Sequence, residues 1–91
     1  MKKVIWKFEI KTTDGQQIDM PIGAEILTVQ IQRGKPCIWA ICNPLSENEK
    51  RTFEIYGTGN PYPSKGQRSY IGTYQEAGGG LVWHLFELIK L

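Results

Sequence analysis

Long apolar runs are missing from this chain. No stretch approaches the ~20 consecutive apolar residues that a membrane-crossing helix needs. The start, Met1-Lys2-Lys3-Val4-Ile5-Trp6-Lys7, turns polar again at once and lacks the apolar core of a secretory signal. Charge of one sign is scarce too. Eleven Lys and Arg stand against nine Asp and Glu, a net charge of +2, too small to point to nucleic acid. Reactive side chains are few, with one histidine and two cysteines in 91 residues. There is no Cys-x-x-Cys pair and no acidic residue at ligand spacing from His84, so no metal and no cofactor are expected. Catalysis needs an acid, a base or a nucleophile that converge. No such set is visible, and the chain is read as a non-enzyme.

The two cysteines bear on the compartment. Cys37 and Cys42 lie in one apolar run at odd spacing, which puts them on opposite faces of a strand and argues against a disulfide. Two buried-looking thiols suit a reducing compartment, so a cytoplasmic protein is expected. Neither thiol has the exposed, electropositive setting of a nucleophile.

What the chain does have is alternation. Val4, Trp6, Phe8 and Ile10 alternate with Ile5, Lys7, Glu9 and Lys11, the period of a strand with one buried face. Thr12-Thr13-Asp14-Gly15 reads as a turn and Gln17-Ile18-Asp19-Met20 alternates again, so residues 4–20 are expected to form a hairpin. Residues 25–32 alternate with Leu27, Val29 and Ile31 on one face. Arg33-Gly34-Lys35 is a compact turn. Residues 36–42 are apolar on both faces, as in a strand covered on both sides. Residues 43–50 read as an exposed loop, with one short helical turn possible at 46–51.

Residues 52–56 form a short strand with Phe53 and Ile55 opposite Glu54 and Tyr56. Residues 57–68 hold three glycines and two prolines without periodicity. In the next strand Tyr70, Gly72 and Tyr74 share one face, and Ile71 and Thr73 share the other. After the turn Glu76-Ala77-Gly78-Gly79-Gly80, residues 81–88 are again apolar on both faces. The expectation is a single all-β domain over 1–91, a small antiparallel sandwich or barrel of about seven strands. The two doubly apolar runs call for a second cover, and a homo-oligomer is expected.

The best candidate binding surface is the irregular loop. Tyr56, Gly57, Thr58, Gly59 and Asn60 follow directly on a strand, and their backbone N–H groups could cradle an anion. Lys65 and Arg68 could add donors to a phosphate or carboxylate, and Tyr62 could stack on a ring. The plainer reading is a wide connection whose glycines only permit turns. Phosphate-loop and dinucleotide fingerprints need a helix opening at this point, and none is expected. His84, in Trp83-His84-Leu85-Phe86, reads as a structural strand histidine. Trp6, Phe8, Trp39, Tyr56, Tyr70, Tyr74 and Trp83, interleaved with Lys7, Lys65 and Arg68, could form a stacking platform. The tryptophans suit a core, and the tyrosines a wet surface.

Trp6-Lys7-Phe8, the run Pro21-Ile22-Gly23-Ala24-Glu25-Ile26-Leu27 and Pro36-Cys37-Ile38-Trp39-Ala40 are distinctive strings. So are Tyr56-Gly57-Thr58-Gly59, Tyr70-Ile71-Gly72-Thr73-Tyr74 and Leu81-Val82-Trp83-His84-Leu85-Phe86-Glu87. Over nearly the whole chain they resemble a family of small bacteriophage and prophage proteins of unknown function. The resemblance implies an accessory protein made in a bacterial cytoplasm and carries no site residues with it. The functional expectation is a module that binds or sequesters a small anionic ligand such as a nucleotide signal of host defence. The alternative is a protein–protein interaction module acting on a host or virion protein. Neither a membrane nor a nucleic acid is expected as partner.

Overall fold

The computed structural model describes residues 2–89. Seven strands follow in order: β1 (Val4–Glu9), β2 (Gly15–Pro21), β3 (Glu25–Gln32), β4 (Lys35–Cys42), β5 (Asn48–Gly57), β6 (Gln67–Glu76) and β7 (Leu81–Ile89). They form two antiparallel sheets, one of order β1-β4-β3 and one of order β2-β5-β7-β6. The only helical element among the described residues is a 3-10 turn at Ala77–Gly79. The all-β expectation with seven strands therefore holds. The sheets pack face to face in a body 16 Å along its short axis, as two layers about 10 Å apart require.

The core lies between the layers. Ile38, Ala40 and Cys42 on β4 and Val29 on β3 face Phe53 and Ile55 on β5, Leu85 on β7 and Tyr74 on β6. Central strands supply most of this set because a strand flanked on both sides has its inner side chains enclosed in every direction. Cys42 is in the core cluster, Cys37 points to the opposite face, and both thiols are free and buried. Burial pushes the Cys42 thiol pKa up, while the nearby Arg51 charge partly opposes the shift.

Four local expectations are corrected. Residues 4–20 are not a hairpin. β1 pairs with β4 and β2 with β5, and the chain crosses from one sheet to the other between them. The crossing stays bonded on both sides, since the Ile10 N–H donates to Pro36 O and the Ile55 N–H to Asp14 O. Residues 48–51 are neither loop nor helical turn. They open β5, whose first residues pair with β2 from Pro21↔Asn48 to Ile18↔Arg51. A polar segment becomes strand here because its backbone groups are taken up by a neighbour.

The other two corrections are bulges. The β3–β4 register shifts between Ile26 and Thr28, leaving Leu27 as the extra residue and 44% exposed. Ile26, not Leu27, joins Val29 inside. On β6 the register shifts between Tyr70 and Gly72. Tyr70 therefore points outward at 58% exposure, while Tyr74 is buried at 4%. A bulge inserts one residue and reverses the alternation beyond it, so simple parity misplaces side chains on either side.

A shielded ion pair borders the core. Arg51 on β5 forms a forked ion pair with Glu87 on β7, and its Nη1 donates to Ala24 O across the gap between sheets at 2.7 Å. The pair is shielded, with side chains 16% and 13% exposed. The hydrogen bond to Glu87 is the main reason the Arg51 pKa is raised, so this guanidinium stays charged throughout.

Candidate functional site

The outer face of the four-stranded sheet carries the candidate site. On β5 the outward residues are Glu54 and Tyr56. Across the ladder they stand opposite Phe86 and His84 of β7. Phe86 and His84 in turn stand opposite Tyr70 and Thr73 of β6. Cross-strand neighbours on one face are close enough for side chains to touch, and here the aromatics do. The Tyr56–Phe86 and Tyr70–Phe86 ring centroids are 5.9 and 5.4 Å apart.

The loop after β5 folds back over this face. Gly59 has a φ of +86°, a left-handed conformation that glycine adopts without a Cβ clash, and the Asn60 N–H closes the turn on Gly57 O. Gly57 is needed for room. A Cβ there would stand 2.8 Å from Asn60 Nδ2 and 3.1 Å from the Trp83 ring. The turn brings Tyr62 down onto the sheet, with its ring 5.1 Å from Tyr56 and 5.2 Å from Phe86. Four rings, those of Tyr56, Tyr62, Tyr70 and Phe86, thus form one shelf, and Tyr62 and Tyr70 are more than half exposed.

Arg68 pins the loop. Its guanidinium bonds the Glu54 carboxylate and donates to Lys65 O at 2.7 Å, and it lies 5.8 Å from the Tyr62 ring centroid in a cation–π contact. The Tyr56 hydroxyl donates to the same Glu54 oxygen at 2.8 Å. The Arg68 hydrogen bond, chiefly, holds the Glu54 pKa below the usual carboxylate range. The Tyr56 bond adds to this and desolvation partly opposes it. Burial and then the Glu54 bond push the Tyr56 pKa up.

A chain of hydroxyls runs along one side of the shelf. His84 Nε2 shares a hydrogen bond with Thr58 Oγ1 at 2.7 Å, and Nδ1 shares one with Thr73 Oγ1 at 2.9 Å. Thr73 Oγ1 also bonds the Tyr70 hydroxyl. With both ring nitrogens engaged, His84 ties the loop to β6. Between this chain and the rings lies an open cleft of about 280 Å³ lined by Tyr56, Tyr62, His84, Phe86 and the 57–60 turn.

Of the residues picked out from the sequence, Tyr56, Gly57, Thr58, Gly59, Asn60 and Tyr62 all line this cleft. Arg68 bonds Glu54 and stacks near Tyr62 beside the cleft, and Lys65 is exposed and does not line it. The backbone offers less than an anion nest would need, because the Thr58 N–H is used by Val82 O and the Asn60 N–H by Gly57 O. Sequence reasoning omitted Phe86, Thr73 and Glu54 from the site, read His84 as a structural strand histidine, and set Tyr70 only in the wider stacking platform. Their signal is the parity of β7 and β5, where 84 and 86 fall on the face of 54 and 56, but it becomes readable only once the β5–β7 register is known. Tyr74 and Trp83 are not part of the shelf. The Tyr74 hydroxyl shares a hydrogen bond with Thr12, and the Trp83 indole N–H donates to Glu76, on the other side of the sheet.

Fold and site together define a small two-sheet β domain that presents an aromatic shelf fastened by an Arg–Glu pair. The chain belongs to the DUF7352 family, a domain of unknown function, whose model matches residues 1–91. No curated protein and no solved structure matches it. Among the described residues no helix is long and apolar enough to cross a membrane, and no three His, Cys, Asp or Glu side chains come together as a metal site requires.

Proposed function

We propose that the chain is a binding module whose ligand is a small anion carrying a flat ring, of the nucleotide class, seated on the shelf of Tyr56, Tyr62, Tyr70 and Phe86. The observation that carries this reading is the clustering of four aromatic rings on an outer sheet face, with two of them open to solvent. Exposed aromatic rings on a sheet are stacking surfaces for flat heterocycles. The hydroxyls of Thr58, Thr73 and Tyr70 supply acceptors and donors at the rim. Charge is the smaller part of recognition. Arg68 is largely balanced by Glu54, and Lys65 is the other cation of the 57–68 segment, exposed to solvent.

The test is titration with a panel of mono-, di- and cyclic nucleotides, followed through the backbone amide resonances of the chain. Shifts are expected at His84, Phe86 and residues 57–62, weakened at least fivefold in affinity by Tyr62→Ala and less by Lys65→Ala. No shift at these resonances with any nucleotide overturns the reading.

A second reading is a protein–protein interaction module that uses the same face. The openness of the cleft favours it, because exposed tyrosines with a wet hydroxyl are common in protein interfaces. In that case nucleotides leave the spectrum unchanged while a protein partner perturbs the same resonances. The string resemblance noted above supports placing the protein among phage-type accessory proteins. Its two free, buried thiols support action in a reducing cytoplasm, that of the bacterial host.

A further inference from the structure

The two sheets leave four edges, and three of them are blunted. β3 and β6 each carry a bulge, and β2 ends in Pro21. Bulges and proline are the usual protections of an edge against pairing with another strand. β1 has neither. It runs as a regular ladder against β4 from Val4↔Cys42 to Glu9↔Cys37, and its other side has no neighbour among the described residues. Its central charge, Lys7, does not guard it, because it lies back across the sheet, where its Nζ donates to Gln32 at 2.7 Å. Beside this open edge Ile5 is 61% exposed. Trp6, although on the inner face opposite Ala40, is 41% exposed and stands outside the core cluster.

We infer that β1 pairs antiparallel with β1 of a second copy about a two-fold axis at Trp6, joining two three-stranded sheets into one of six strands. Symmetry and charge select this register. An antiparallel pair of identical strands needs opposed residues on the same face, so the axis must centre on a residue. With the axis at Ile5, Lys3 would oppose Lys7. With the axis at Lys7, that residue would oppose itself, and Lys3 would oppose Lys11. With the axis at Phe8, Lys7 would oppose Glu9, but Val4 and Ile5 would fall against residues 12 and 11, beyond the end of β1, where the chain is already crossing to the other sheet. With the axis at Trp6, Lys3 opposes Glu9, Val4 opposes Phe8, Ile5 opposes Lys7, and the two indoles meet. Only this register both keeps the whole strand paired and sets opposite charges against each other, twice by symmetry. Glu9 already lies 3.5 Å from the Lys35 amine in an exposed pair, so the Lys3 of the second copy would place a cation on each side of the carboxylate. The pairing would cover Trp6 and Ile5. It uses the three-stranded sheet, whereas the aromatic shelf lies on the other, so it stands or falls independently of the ligand reading.

The test is sedimentation equilibrium of the full chain and of charge-swapped variants. The wild-type chain is expected at twice the chain mass, dissociating on dilution. K3E and E9K each turn two attractive pairs into two repulsive ones and are each expected to raise the dimer Kd by about tenfold, from cross-strand pair strengths. An equimolar mixture of K3E with E9K restores opposite charges at both positions and is expected to dimerise like the wild type. The double variant K3E/E9K should do the same alone, which separates pairing from any effect of one swap on folding. A wild-type monomer at all concentrations overturns the inference. So do single swaps that dimerise normally, or a mixture and a double variant no tighter than the single swaps.

Discussion

Gly72 of β6 lies directly against Val29 of β3 in the opposite sheet: a Cβ at position 72 would stand 2.9 Å from Val29 Cγ1. Here the two layers approach closely for want of a side chain, just after the β6 bulge has turned residue 72 inward. Gly72→Ala is expected to destabilise the fold by about 1–3 kcal/mol, as overpacking of a core does. The same chain with Val29→Ala added should recover part of the loss. Equilibrium denaturation of the two variants checks this, and a Gly72→Ala protein as stable as the wild type would mean that the layers part here without cost.

Arg51 and Glu87 form a different kind of contact between strands. Removing one charge leaves the other shielded and unpaired, and Arg51→Met also strands the Ala24 carbonyl. The expected loss is about 2–3 kcal/mol for a largely desolvated pair. Replacing both, Arg51→Met with Glu87→Met, should cost clearly less than the single change. A double-mutant cycle by urea unfolding gives the coupling directly.

Acid should loosen the loop. The folded-state pKa of Glu54 is depressed, so its contribution is fully present at neutral pH. It is lost as pH falls through the folded pKa, below the usual carboxylate range. Melting temperature of the wild type should therefore drop more steeply on strong acidification than that of Glu54→Gln, which lacks the titration. Tyr56 works in the opposite direction. Its raised pKa favours the folded state until pH climbs through the tyrosine range, where that contribution is lost. Identical acid limbs for the two proteins would refute the assignment of Glu54.

The β3–β4 hairpin has room for improvement. Arg33 and Gly34, its two turn residues, have φ of +52° and +79°. Two-residue hairpin turns of this kind prefer Asn-Gly. Arg33→Asn is expected to stabilise the protein by about 0.5 kcal/mol, and Gly34→Ala to destabilise it by about 1 kcal/mol, the cost of a Cβ in the left-handed region. Thermal melts of both variants decide the point.

Much of the architecture was legible because alternation is a property of neighbouring residues. Val4, Phe8, Val29, Phe53 and Ile55 face inward as their period of two requires. The doubly apolar run at 36–42 became the central strand of its sheet, and 81–88 lies between β5 and β6 in the other. The partner of each strand is set by contacts far apart in sequence. The apparent hairpin of β1 and β2 therefore opened into two sheets, and the polar start of β5 became strand by pairing with β2. The bulges at Leu27 and Ile71 leave no local mark either. They move Tyr70 outward and Tyr74 inward although both sit on the same parity.

The candidate site divides along the same line. The loop residues Tyr56 to Asn60, with Tyr62, Lys65 and Arg68, stand out by composition alone, since glycine and proline interrupt a regular pattern. That they meet Phe86, His84, Tyr70 and Glu54 depends on the β5–β7–β6 register, which is fixed by backbone pairing and core packing across the whole chain. By itself, then, the sequence determined the strands, most of their buried faces and the position of the one long loop, because these follow from local periodicity and turn chemistry. Only the tertiary structure decided which faces lie together, where the bulges reverse them, and that the loop closes over an aromatic shelf and leaves β1 as an open edge.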